Sequence, residues 1–180
     1  TTENITILDF IDKFPVTEIS DSVFKNKTTL KQIVIGNQIT SIGRGAFLGC
    51  NTLEGITLPF IGASKAASDG YNEVFGCIFG YYKTSGTSSV SDATYQYYLD
   101  SSYYYYYIPT SLKTIILSDS VTSIGKNAFY NCSSLTSVTI GNRVTSIGVN
   151  AFYNCSSLTS ITIPDSVTSI GENAFYNCNS

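Results

Sequence analysis

The chain has no histidine at all among its 180 residues. That removes the commonest general base, the Ser-His and Cys-His nucleophile pairs, and most zinc sites. Charge is sparse: 10 basic and 13 acidic residues give a formal net charge of −3. The basic residues form no stripe, so a nucleic-acid partner is not expected. No apolar run approaches the length of a membrane span, so no membrane insertion is expected here. The acids are scattered, and Asp119 and Asp165 fall at turn positions. Catalysis would need the insertion described below to gather Asp69, Glu73, Asp92 or Asp100 beside a pocket, so the expectation is a protein that is not an enzyme. Neither a metal nor a cofactor is expected. The chain starts at Thr1 with no signal-like segment and stops at the end of a repeat. It reads as a fragment of a longer protein, with any signal peptide and anchor outside it.

What is present is repetition. Leu112–Ser134, Leu135–Ser157 and Leu158–Ser180 are nearly the same 23-residue sentence, LTSITIPDSVTSIGENAFYNCNS in its last form. A fixed period of this length marks a solenoid, in which one coil cannot bury its apolar face alone and stacked coils can. The template L-x-x-I-x-I-x-x-x-V-T-S-I-G-x-x-A-F-x-x-C-x-x puts apolar residues at positions 1, 4, 6, 10, 13, 17, 18 and 21. Its β-branched I-x-I alternation predicts a short strand, paired in parallel with the next coil. Gly36-Asn37, Ser118-Asp119, Gly141-Asn142 and Pro164-Asp165 then supply turns. The segment N-A-F-Y-N-C is too short for a lasting helix and predicts a helical or 3₁₀ turn whose Phe fills the core. Each large apolar side chain so buried stabilises by ~1.5–3 kcal/mol.

The phase continues upstream. Leu30–Thr52 fits at every inward position, and Leu53 opens another copy. The next leucine in phase is Leu112, so that repeat carries about 36 extra residues. Before Leu30 the pattern decays: Val16, Ile19, Val23 and Phe24 match positions 10, 13, 17 and 18, and Lys27 stands where Cys belongs. The expected organisation is one solenoid over 1–180, with a degenerate first coil at 1–29, repeats at 30–59, an insertion at 60–111 and three regular repeats at 112–180.

Cys50, Cys132, Cys155 and Cys178 share position 21, and Cys77 lies in the insertion. In-register cysteines point the same way, which is poor disulfide geometry, and their spacing is not that of a metal motif. A ladder of buried thiols, packing as small hydrophobes, is the expectation.

The insertion, Phe60–Ser111, holds 11 of the 14 tyrosines. Its apolar knot Val74–Gly80 resembles a distorted I-G-x-x-A-F and is expected to plug the core. The Tyr/Ser-rich remainder predicts a protruding hairpin or loop. Tyr, Ser and Gly are residues of binding surfaces, since Tyr gives broad amphipathic contact with few torsions to freeze. Tyr95, Tyr97, Tyr98, Tyr103, Tyr104, Tyr105, Tyr106 and Tyr107 are therefore the candidate ligand-binding residues. A strand that covers the solenoid edge is the competing reading, and in a strand only alternate residues pack. Outward positions 3 and 5 of the regular strands carry Ser137, Thr139, Ser160 and Thr162. These are either a solvated strand face or a flat hydroxyl-bearing surface for a partner.

The repeat resembles that of the BspA-like, or Treponema pallidum-type, leucine-rich repeat proteins, with their core I-x-x-x-A-F-x-x-C. The resemblance is close over Leu30–Leu58 and Leu112–Ser180 and weak over Thr1–Thr29. It extends to the F-G-x-I-F-G knot (Phe75–Gly80) and the return through I-P-T-S-L (Ile108–Leu112). It implies a right-handed leucine-rich-repeat solenoid, mainly β, on a secreted or cell-surface protein. It also implies adhesion to a host extracellular-matrix or cell-surface protein, or to a glycan, and it carries no catalytic residues. A structural spacer or stalk that presents another domain is the alternative, because outward positions vary little between Leu112 and Ser180. End-to-end self-association through the last coil, by Leu158, Ile161, Ile163 and Phe175, is a further expectation.

Overall fold

The structure is a computed structural model, and it describes residues 3–66, 74–82, 93–99 and 103–178. Six coils stack side by side. Each contributes one strand to a six-stranded, wholly parallel sheet, in the order Glu3–Ile7, Leu30–Ile35, Gly55–Leu58, Thr114–Leu117, Ser137–Thr139, Ser160–Thr162. The register keeps repeat phase: Ile33 faces Ile56, Ile56 faces Ile115, and Ile115 faces Val138. A second row of two-residue strands runs along the T-S-I-G positions. Glu18–Ile19 pairs with Ser41–Ile42, and Ser123–Ile124, Ser146–Ile147 and Ser169–Ile170 pair in series.

The core follows the template. All eight inward positions are buried in the coils that start at Leu30, Leu112 and Leu135. The phenylalanines of position 18 form a stack: Phe24 on Phe47 at 5.3 Å, Phe129 on Phe152 at 5.1 Å and Phe152 on Phe175 at 5.3 Å, all within 10° of parallel. Each coil is also laced to its neighbour. The amide of the position-18 Phe donates to the position-17 carbonyl of the following coil, as Phe129 does to Ala151 at 2.7 Å.

The A-F segments are not helical. They are runs of turns closed by bonds such as Tyr130 N–H to Asn127 O and Cys132 N–H to Phe129 O. The reason lies at positions 16 and 20, where Asn127, Asn131, Asn150, Asn154, Asn173 and Asn177 all have φ between 55° and 60°. Residues that are left-handed every fourth step prevent a right-handed helix from propagating. The second coil uses Gly45 and Gly49 there, and the first uses Ser22 and Asn26. Occupancy by Gly or Asn alone at these positions in the regular repeats is the sequence signature of positive φ.

Among the described residues no cysteine is in a disulfide, and Cys50, Cys77, Cys132 and Cys155 are buried. Cys50, Cys155 and Cys178 each donate to the position-18 carbonyl of the preceding coil, at 3.1–3.2 Å. Burial raises the pKa of Cys50 and Cys132. The neighbouring Cys178 thiol, with burial, raises that of Cys155.

Two expectations need correction. Val23, assigned an inward position, is exposed, because the first coil is at the edge of the array and, among the described residues, no coil covers its outer side. In the last coil Leu158 is buried rather than presented at the end, while Ile161 and Phe175 are partly buried and Ile163 and Ile170 are exposed.

The first coil is also less degenerate than its sequence suggests. Ile5 and Ile7 hold the register of Ile33 and Ile35, and Asp9 Oδ1 accepts the Gln38 amide at 2.8 Å, as Asp119 accepts that of Asn142. What obscures its phase is a second excursion. After Asp9 the chain makes a small antiparallel hairpin, Phe10–Ile11 against Phe14–Pro15, and rejoins the repeat at Val16. Its two-residue turn, Asp12-Lys13, has φ of 52° and 85°, the positive pair that suits a hairpin's twist.

Candidate functional site

The insertion leaves and re-enters the solenoid at the third coil. Its knot forms a 3₁₀ helix, Phe75–Phe79, every residue of which is buried. This one turn supplies both faces that a regular coil offers. Toward the second coil, Ile78 O accepts the Phe47 amide at 3.0 Å, and the Phe79 ring lies 6.1 Å from Phe47. Toward the fourth coil, the Phe75 amide donates to Ala128 O at 2.9 Å, and the Phe75 ring lies 5.3 Å from Phe129. Phe75 and Phe79 meet edge-on at 5.3 Å, so the aromatic stack passes through the interrupted coil unbroken. The knot thus plugs the core.

From Gly80 the chain enters a three-stranded antiparallel sheet, in which Tyr103–Pro109 lies between Tyr81–Tyr82 and Ala93–Leu99. Tyrosine's β-propensity accounts for strands here, and its alternation sorts the residues. Gln96 and Tyr106 are register partners, so they share a face, and that face meets the core: they are 0% and 1% exposed. Ile108, two residues on, is buried too.

Gln96 ties the hairpin down. Its Oε1 accepts the Gly76 amide at 2.6 Å, and its Nε2 donates to Ala128 O at 2.7 Å and Asn127 O at 3.1 Å. One buried amide therefore bridges the knot, the hairpin and the fourth coil. Gly76 is required by closeness, since a Cβ there would strike the Tyr106 side chain and come within 2.8 Å of Gln96 Oε1.

The eight candidate tyrosines separate accordingly. Tyr106 is core. Tyr107 is half-buried. Register pairs Tyr103 with Leu99, Tyr104 with Tyr98, Tyr105 with Tyr97 and Tyr107 with Tyr95; the side chains of Tyr95, Tyr97, Tyr98, Tyr103, Tyr104 and Tyr105 lie outside what the structure describes. Tyr106 thus serves as cover for the core. Gln96, the anchor, was missed; a lone amide inside a tyrosine-rich strand is the signal that could have found it. Asp69, Glu73, Asp92 and Asp100 lie outside the described residues.

A second surface lies on the six-stranded sheet. Ser137, Thr139, Ser160 and Thr162, with Ile116, Asp119, Asn142 and Pro164, line an open groove of about 490 Å³. Among the described residues no cluster of acidic and cysteine side chains could hold a metal ion, and no helix is long and apolar enough to cross a membrane.

Comparison with known proteins agrees with the repeat chemistry. The sequence profile of the BspA type leucine rich repeat region matches residues 2–67 and 88–180, in six copies. No functionally curated protein matches the chain. Among solved structures, a leucine-rich repeat protein from Eubacterium ventriosum aligns with a TM-score of 0.53 at 22% identity, over 96% of this chain and 37% of that one. A leucine-rich repeat protein of T. pallidum aligns at 21% identity and a TM-score of 0.38, over 97% of this chain and 55% of its own. A leucine-rich cell surface protein from Faecalibacterium prausnitzii aligns at 26% identity and a TM-score of 0.45, over 99% and 46%. The chain thus spans about half the length of these relatives or less. With six stacked coils, an in-register parallel sheet and a profile match over most of its length, the chain belongs to the BspA-type leucine-rich repeat family.

Proposed function

We propose that this chain is a non-catalytic recognition module of a secreted or cell-surface protein, and that it binds a protein or a glycan through the outer face of its tyrosine hairpin. The carrying observation is the anchoring of that hairpin by Gln96 and Tyr106. A tyrosine-rich strand pair fixed to a rigid scaffold loses little freedom on binding, and this is how tyrosine-rich binding surfaces gain affinity. Aromatic faces suit sugar rings, and phenolic hydroxyls suit wet polar interfaces.

The test is a binding screen on matrix proteins and a glycan array. It compares the intact chain with a variant in which Tyr103, Tyr105 and Tyr107 are Ser, both checked for fold by circular dichroism. Binding that is lost only in the variant supports the reading. Equal binding moves the site to the sheet groove. Absence of binding by either favours a spacer, the alternative that the near-identical outward rows of the last three coils support.

A further inference from the structure

The surface of the last three coils carries a second row of aromatic rings, outside the core. Template position 19 holds Lys25 and Leu48 in the first two coils, and Tyr130, Tyr153 and Tyr176 in the last three. The three phenols stack. Tyr130 and Tyr153 lie 5.0 Å apart and within 6° of parallel, and Tyr153 and Tyr176 lie 4.9 Å apart at 16°. Tyr130 and Tyr153 are half-buried, and Tyr176 is 57% exposed.

The backbone holds this row in register. The Asn131 amide donates to Tyr153 O and the Asn154 amide to Tyr176 O, both at 2.8 Å. On one side of each tyrosine in sequence stands a stacked phenylalanine, Phe129, Phe152 or Phe175. On the other stands an asparagine whose side chain is bonded to that of the next coil. Each tyrosine is thus fixed relative to its neighbour, and groups so fixed react with one another as if at very high concentration. Adjacent phenols have one such reaction. Each gives up an electron and a proton, and the two phenoxyl radicals join ring carbon to ring carbon, ortho to their oxygens.

We propose that the row is an oxidative modification site, at which a haem peroxidase with hydrogen peroxide couples Tyr153 to Tyr176 or to Tyr130, stapling consecutive coils through a dityrosine bond. Two phenols lose two electrons and two protons, and one carbon–carbon bond forms. The ortho hydrogens then move to the oxygens, which restores both phenols, and the peroxide is reduced to two molecules of water. Tyr153 is the shared partner, because Tyr130 and Tyr176 stand two coils apart, about 10 Å at ~4.8 Å per coil. The position-21 thiols are the competing reductants. Cys132 and Cys155 are fully buried, and Cys178 is half-buried, so the oxidant meets the phenols before most of the thiols.

The test treats the intact chain with peroxidase and hydrogen peroxide at about 1 μM, far below the ~mM effective concentration of groups on one chain. Cleavage at Lys, Arg and Glu puts Tyr130, Tyr153 and Tyr176 in separate peptides, 127–143, 144–172 and 173–180. Mass spectrometry should find 144–172 joined to 173–180 or to 127–143, two hydrogens lighter than the sum. Tyr153→Phe should lower the dityrosine yield of these coils at least ~tenfold, since it forms no phenoxyl radical and leaves the outer phenols too far apart. Tyr176→Phe should spare the Tyr130–Tyr153 product. Circular dichroism verifies that each variant folds. The coupled chain should unfold at a higher urea midpoint, because a cross-link restricts the unfolded state. Equal yield from the urea-unfolded chain overturns the proposal, since the stack would then direct nothing. Dityrosine formed only within 81–107, or only between chains, overturns it too, as does oxidation that ends at the Cys178 thiol. The row lies outside the tyrosine hairpin, so ligand binding and coupling succeed or fail separately.

Discussion

The side-chain amide of Asn154 donates to that of Asn131, one coil earlier, and both residues have φ near 60°. Asn177 donates to Asn154 in turn, at 2.5 Å. The same asparagines that stop the helix thus bond the coils to one another. Asn154→Ala should lose both bonds and incur left-handed strain, destabilising by about 2–4 kcal/mol. Asn154→Gly should lose the bonds alone and cost less. Urea midpoints of the two variants check the order; equal costs would mean that the backbone conformation carries no penalty there.

Gln96 is the residue whose loss should separate hairpin from solenoid. Gln96→Leu keeps the volume but leaves the buried Gly76 amide without its partner, while the Asn127 and Ala128 carbonyls keep the Tyr130 and Phe75 amides. A loss of about 1–3 kcal/mol is expected for that orphaned group. Limited proteolysis should show faster cleavage in the insertion than in the coils after Leu112. Uniform sensitivity would mean that the hairpin is not a separable unit.

The two aromatic stacks should differ sharply in weight. Phe129 is fully buried between Phe75 and Phe152, and Phe129→Ala should cost about 3–5 kcal/mol. Tyr130, Tyr153 and Tyr176 also stack, at 4.9–5.0 Å, on the surface of the last three coils. Tyr176 is exposed, and Tyr176→Ala should cost under about 1 kcal/mol. Thermal or urea unfolding measures both.

The buried thiols predict a pH dependence. Burial raises the pKa of Cys132 and Cys50 in the folded state, while the unfolded chain titrates near its ordinary value. Above about pH 8.5 the folded chain therefore binds more protons than the unfolded one, and stability falls as pH rises. Below that value the contribution is fully present. Urea midpoints at rising alkaline pH should decline, and Cys132→Ala should flatten the decline. A flat profile in the wild type would show that the thiols ionise alike in both states.

Most of the solenoid was legible because its inward positions are chemically uniform: Leu, Ile, Val, Ala, Phe and Cys recur in one phase, and repetition averages out local ambiguity. The thiol ladder and the core role of Phe75–Phe79 were readable for the same reason. What escaped were features that occur once. The finger at Phe10–Pro15 hid the phase of the first coil, since five additional residues look like decay to a reader who counts in steps of 23. The inward face of the hairpin escaped because alternation in a run of identical residues has no visible phase. Only Gln96 across the sheet reveals that Tyr106 turns inward.

The 3₁₀ turn that carries Phe75 and Phe79 works as a socket. It completes the array on both sides before the hairpin begins, so the stack does not depend on what is mounted beyond Gly80. Loops of different length and composition could be exchanged between Gly80 and Pro109 without retuning a single coil, provided the replacement restores the Gln96 amide and the buried Tyr106 and Ile108. A scaffold built this way can change what it carries as fast as one loop can mutate, while its architecture stays still.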